Sequence, residues 1–165
     1  MLIKPYKYFE SATDISADYL KSIGVTALML DVDNTLTLQK GSIILDGVLD
    51  WLRKMESEGF KLIILSNSKP KRMERVSKNL GLPFVAYGMK PITVGYFKAA
   101  KRMGVKRKEC AIVGDQLFTD MLGGNLAGVK TILVSPKELE TTFLFKVKRG
   151  LERPLLKHYK IPCSF

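Results

Sequence analysis

Residues 25–30 read VTALML, and the next three are Asp31, Val32 and Asp33. An apolar run of this length, rich in aliphatic side chains, suits a strand covered on both faces, as in a parallel sheet. Such a strand delivers both carboxylates at its C-terminal end, where open α/β sheets keep their ligand sites. Asn34 and Thr35 follow, and their side chains can turn the chain by bonding to the backbone. Two aspartates brought together by a buried strand repel each other unless a cation or a shared proton offsets the charge. The stretch therefore demands a sheet wrapped by helices and a source of positive charge.

The remaining pattern supplies the wrapping. Residues 14–24 read as a short helix with Asp14 or Ser16 as its cap and Gly24 as its stop. After a hairpin-like excursion over 37–45, around Gly41, residues 46–58 carry Val48, Leu49, Leu52 and Met55 at helical spacing. A second strand is expected over 60–65, a helix from Pro70 to about Gly81, and a short strand over 83–87. Helix 92–103, strand 110–114, helix 118–127 and strand 130–134 complete the alternation. Strands and helices alternating at this spacing predict a parallel sheet of about five strands with helices on both faces. The length of 165 residues fits one domain, with a core over about 25–135. The segment 141–160 mixes aromatic, aliphatic and cationic residues, and Gly150 and Pro154 interrupt it. It reads as a packed final element, a partner-binding arm or a membrane-surface segment.

The charge is concentrated. The chain has 27 Lys/Arg against 16 Asp/Glu, a net +11, and residues 69–108 hold twelve of the cations with the single acid Glu74. The whole excess lies in that window, which reads either as solvated helix faces or as a receptor for an anionic partner. No apolar run approaches the ~18 residues of a membrane span. The first residues, MLIKPYKYFE, lack the apolar stretch of a secretory signal, which favours the cytoplasm. Cys110 and Cys163 form no CxxC pair and suggest two ordinary thiols.

Each strand end carries a chemically useful residue. The first gives Asp31 and Asp33, the second Ser66 and Asn67, the turn after the third Lys90, and the fourth Asp115 with Asp120 five residues on. Carboxylates without cysteine or histidine suit a hard, oxygen-preferring cation such as Mg²⁺. The only histidine, His158, lies in the C-terminal segment, which argues against Ser-His and zinc chemistry.

Taken in order, DVDNTL at 31–36, Ser66 after IIL, Lys90-Pro91 and the GDQLFTD of 114–120 resemble the four motifs of the haloacid dehalogenase superfamily of phosphotransferases. The resemblance spans roughly residues 25–135 and implies a three-layer Rossmann-like fold. It implies Asp31 as a nucleophile that forms an aspartyl-phosphate and Asp33 as the general acid and base. Lys90 and Ser66 would receive the phosphoryl group, with Thr35 and Asn67 beside them. Asp31, the Asp33 carbonyl and Asp115 would hold Mg²⁺, with Asp120 supporting the metal or orienting Lys90.

Members often gain specificity from an inserted cap domain. Here 32 residues separate Asp33 from Ser66 and 23 separate Ser66 from Lys90, room for the expected elements and no cap. An open site suits a bulky phosphomonoester such as a protein, a nucleic-acid end or a lipid head group, unless an oligomer covers it. The N-terminal PYKYFESATDISADYLKSIGVTALMLDVDNTL resembles the capless YqeG-like branch, related to phosphatidylglycerophosphate phosphatases. That points to a lipid head group at an anionic membrane surface, with the protein peripheral to it. Two other readings are a basic adaptor for RNA, a ribosomal particle or a GTPase, and a phosphatase of nucleic-acid 3′ ends. The full set of site residues disfavours the first, and the lack of an aromatic stacking surface disfavours the second.

Overall fold

The structure, a computed structural model, describes residues 2–38, 43–138 and 143–162. Within them, strands β1 (Lys7–Phe9), β2 (Ala27–Leu30), β3 (Lys61–Leu65), β4 (Phe84–Val85), β5 (Cys110–Gly114) and β6 (Lys130–Val134) form one sheet. Its order is β1-β6-β5-β2-β3-β4, and every pair is parallel. The expected α/β architecture is present with one strand more than expected. β1 has no signature in the sequence because three residues, one exposed and two half-buried, carry no readable alternation; it exists by pairing Lys7 to Phe9 with Ile132 to Val134.

All four residues of β2 are buried, and alternate side chains feed different layers. Leu28 and Leu30 join a cluster with Leu20 of α1 (Ala17–Ser22), Trp51 and Met55 of α2 (Val48–Ser57), and Met73 and Val76 of α3 (Pro70–Leu80). Ala27 and Met29 join Tyr96, Ala99 and Met103 of α4 (Val94–Met103) and Ala127 of α5 (Leu122–Ala127). Each large aliphatic chain sealed this way contributes roughly 1.5–3 kcal/mol, which is why the β2 sequence is apolar without alternation. Trp51 also donates its indole N–H to the Ile15 carbonyl at 2.8 Å, tying α2 to the segment before α1.

Local signals set most boundaries. Ser16, not Asp14, caps α1 by accepting from the Tyr19 N–H, while residues 12–14 form a separate 3₁₀ turn. Pro70 opens α3, and Gly81 closes it in the left-handed conformation at φ 70°. The helix expected over 118–127 divides into a π-helical turn, Leu117–Met121, and α5. The excursion over 37–45 pairs Thr37 with Ile44 in antiparallel fashion, and its tip at Gly41 lies outside the described residues, as does Cys163.

The C-terminal segment departs from expectation. Gly150 and Pro154 do not interrupt it; one helix, α6 (Phe143–His158), runs through both. Tertiary contacts outweigh the proline's missing hydrogen bond. Leu156 packs with Leu117, Met121 and Leu133, and the fully buried Glu152 carboxylate accepts the Leu117 N–H at 2.9 Å. Of the readings open for this segment, packing describes its second half. No helix among the described residues is long and apolar enough to cross a membrane. Nor do these residues form a cap domain: α2 fills the interval before Ser66, and α3 and β4 fill the interval before Lys90.

Candidate active site

β2 and β5 are neighbours at the point where the chain's winding reverses, so the loops leaving them open a crevice. The Asp31 N–H donates to the Val113 carbonyl at 2.9 Å, which extends the ladder and fixes where the Asp31 carboxylate emerges. The N–H groups of Thr35, Leu36 and Thr37 then converge on the Val32 carbonyl. This backbone wrap, with the Thr37 hydroxyl added at 3.3 Å, makes the turn that had been expected of the Asn34 and Thr35 side chains. Asn34 instead adopts φ 60° and accepts the Glu138 N–H. The Thr35 hydroxyl is buried with no hydrogen-bond partner among the described residues.

The predicted positive charge is present. Lys90 Nζ lies 2.6 Å from Asp31 Oδ1 and 2.6 Å from Asp120 Oδ1, and all three side chains are at least nine-tenths buried. Burial alone would drive Lys90 toward its neutral form, but Asp120 and Asp31 outweigh it and hold the ammonium well above its ordinary range. Burial pushes Asp31 up to about 6, opposed by Lys90 and reinforced by Asp120. Asp115 joins them: Asp31, Asp115 and Asp120 bring carboxylate oxygens within 4.8 Å of one another. One ammonium does not neutralise three carboxylates, and an all-oxygen donor set of this kind can hold a divalent cation.

The other predicted residues surround this core in different capacities. Ser66 is buried at the end of β3 and its hydroxyl accepts the Ser68 N–H at 3.1 Å. Asn67 is engaged with the backbone of Lys90. It accepts the Lys90 N–H at 2.7 Å and donates to the Lys90 carbonyl at 2.9 Å, clamping the loop that carries the lysine and its cis bond to Pro91. Asp33 is half-buried and its two oxygens meet the guanidinium of Arg72, a residue that sequence reasoning had left among the cations of the basic window.

Comparison with known proteins places this site in a family. The model of haloacid dehalogenase-like hydrolases matches residues 3–128, which includes Asp31, Asp33, Ser66, Lys90, Asp115 and Asp120. The chain belongs to that family. "Probable phosphatase YqeG" of Bacillus subtilis (strain 168) is 33% identical over 156 residues, covering 94% of this chain and 91% of that protein. The chloroplastic/mitochondrial phosphatidylglycerophosphate phosphatase 1 of Arabidopsis thaliana is 25% identical, over 95% of this chain and 48% of that protein. Among solved structures, a 4-nitrophenylphosphatase from Thermotoga maritima shares the fold at TM-score 0.61 and 14% identity, covering 74% of this chain and 90% of that one. The protein is thus a hydrolase of the haloacid dehalogenase type, in its phosphatase class.

Three further residues shape the hydrolase's acidic loop without any motif to announce them. Gly114 ends β5 so close to Asp120 that a Cβ there would lie 2.4 Å from the Asp120 carboxyl carbon. Tyr96, fully buried on α4, donates its hydroxyl to the Thr119 and Asp120 carbonyls. Glu152 of α6 accepts the N–H of Leu117 at the start of the same loop. The GDQLFTD spacing signals the loop, but its supports come from α4 and α6, remote in sequence.

Proposed function

We propose that this hydrolase is a Mg²⁺-dependent phosphomonoesterase that works through an aspartyl-phosphate on Asp31, and that residues 1–165 act as one catalytic domain. The observation that carries the reading is the buried Asp31–Lys90 pair at 2.6 Å with Asp115 and Asp120 alongside. An Asp31 oxygen attacks phosphorus as the bond to the leaving alkoxide breaks. Asp33 gives its proton to that alkoxide, then removes one from the water that attacks the acyl-phosphate. Inorganic phosphate departs, and the Asp31 carboxylate is restored. Lys90 meets the phosphoryl oxygens with positive charge already in place, and Ser66 and Thr35 offer hydroxyl donors. Asp31, Asp115, the Asp33 carbonyl and, through its nearness, Asp120 would hold Mg²⁺, which supplies charge neutralisation when bound.

The substrate we propose is a phosphomonoester on a lipid head group, phosphatidylglycerophosphate or a bulky ester of similar chemistry, met by a peripheral cytoplasmic enzyme. Support comes from the absence of a cap among the described residues, the cationic window and the relative acting on that lipid. Phosphate release should be followed from phosphatidylglycerophosphate, an aryl phosphate and a 3′-phosphorylated oligonucleotide, with Mg²⁺, with EDTA and in Asp31→Asn. Mg²⁺-dependent turnover of the lipid that Asp31→Asn abolishes is the expected result. Turnover confined to the oligonucleotide would overturn the substrate, and no turnover on any of the three would overturn the reaction.

A further inference from the structure

The loop between β4 and α4 does two things at once. Lys90 and Gly88 turn inward and are buried, whereas Tyr87, Met89 and Ile92 point out with 56%, 54% and 52% of their surface exposed. Single exposed apolar residues are ordinary, but three large ones within six positions, at the mouth of a site, form a patch. The backbone enforces this arrangement. Tyr87 and Met89 both sit in the left-handed region, at φ 47° and φ 54°, where non-glycine residues rarely settle. Orienting Lys90 explains the strain, but it does not explain why the outward positions carry Tyr and Met rather than glycine or asparagine, which tolerate such angles better.

The surroundings say what the patch can meet. Tyr87 donates its N–H to the Ser68 carbonyl, and Asn67 clamps Lys90, so the loop rests on the segment that opens α3. Lys69 follows at once, and Lys71, Arg75 and Lys78 run down α3 at i, i+4, i+7, all exposed. Apolar side chains bordered by a cationic stripe match an interface of head groups over acyl chains, where the anionic surface attracts the cations and the apolar groups enter. We propose that Tyr87, Met89 and Ile92, with Lys69, Lys71 and Arg75, form a docking surface for an anionic lipid bilayer that opens the Lys90 site onto its head groups. This rests on the lipid reading of the substrate and adds how the enzyme reaches it.

The test is flotation of the full chain with phosphatidylcholine vesicles with and without phosphatidylglycerol. It is paired with turnover of a soluble aryl phosphate and of phosphatidylglycerophosphate held in vesicles or in detergent micelles. The triple variant Tyr87→Ser/Met89→Ser/Ile92→Ser, and separately Lys69→Glu/Lys71→Glu/Arg75→Glu, should lose about tenfold or more of vesicle binding and of vesicle turnover. Aryl phosphate turnover should stay within about twofold of wild type. Met89→Trp, which leaves both patches otherwise intact, should shift its emission to the blue on anionic vesicles. Three results overturn the surface: wild type that ignores anionic vesicles, variants that float as well as wild type, or a patch that instead holds two copies together in solution. Rim-dependent binding without lipid turnover in any form supports the surface while sinking the lipid substrate. Micellar lipid turnover with rim-independent vesicle binding does the reverse.

Discussion

Arg72 holds both carboxylate oxygens of Asp33, with guanidinium nitrogens 2.9 and 2.5 Å away, across 39 residues of sequence. The same guanidinium reaches the Ser68 hydroxyl, so the first turn of α3, the end of β3 and the loop after β2 are joined through one side chain. A two-pronged contact fixes the plane of a carboxylate as well as its position, which a lysine's single ammonium does not do. In the proposed reaction Asp33 carries the proton that the leaving group needs. Arg72 is thereby a positioning residue for the Asp33 carboxyl group.

Arg72→Ala should therefore act according to leaving group. General acid catalysis contributes typically 10²–10⁴-fold, and an alkoxide depends on it far more than a nitrophenolate. We expect kcat on an alkyl phosphate to fall roughly 10- to 100-fold while kcat on 4-nitrophenyl phosphate falls only a few-fold, with Arg72→Lys in between. Equal losses on both substrates would assign Arg72 to general site integrity instead.

The elevated Asp31 gives a pH signature of stability. Its folded value of about 6 lies above its ordinary 3.8, mainly because it is buried. Between those values the folded state holds a proton that the unfolded state has released, so stability falls as pH rises through that window and the penalty is complete above about 6. Urea unfolding without metal, followed by the fluorescence of buried Trp51, should show more stability near pH 5 than near pH 7 from this group. Asp31→Asn should remove that difference. Mg²⁺ favours the ionised carboxylate, so its stabilisation should be larger at pH 7 than at pH 5. A pH slope unchanged in Asp31→Asn would refute the assignment.

What the sequence made readable was whatever depended on neighbours in the chain. β2, β3, β5 and β6 stand out because two-sided burial forces continuous apolar runs, and Asp31, Ser66 and Asp115 follow directly from where those runs stop. Lys90 is readable for a related reason, in the turn that follows the short strand β4. Arg72 was not, since a cation in the first turn of a solvated helix looks the same whether it meets water or Asp33. The contact of Asn67 with the Lys90 backbone was not readable either, because only the folded chain brings the two together. The continuity of α6 through Pro154 was invisible for a related reason: Glu152 and Leu156 hold it through residues some 20–40 positions earlier.

Gly114→Ala is expected to damage the site without touching a charged group. Its Cβ would overlap the Asp120 carboxyl, and Asp120 cannot yield without leaving Lys90. We expect a stability loss of about 1–3 kcal/mol from overpacking and a fall in kcat of roughly 10²-fold as the ammonium loses its orientation. Gly128→Ala is the natural comparison. Its φ of 72° strains any side chain, but nothing lies within 4 Å of the added carbon. It should cost about 1 kcal/mol with kcat nearly unchanged.

Glu152 tests whether α6 belongs to the catalytic machinery or merely covers it. Its carboxylate is fully buried and accepts the N–H of Leu117, and more distantly that of Phe118, at the start of the turn that presents Asp120. That turn also begins just after Asp115, so the backbone held by Glu152 lies between the two acidic residues of the proposed metal site. Glu152→Ala leaves a buried N–H unsatisfied, a loss of about 1–3 kcal/mol in unfolding by urea. Supports at this remove from a metal typically change its affinity 10- to 100-fold. The Mg²⁺ concentration that half-stabilises the protein in thermal melts should therefore rise at least tenfold in Glu152→Ala. Glu152→Gln keeps an oxygen acceptor in place and should fall close to wild type. If Glu152→Ala loses stability but keeps its Mg²⁺ dependence, α6 is a cover. If both change together, the C-terminal helix sets the geometry in which Asp115 and Asp120 meet the cation.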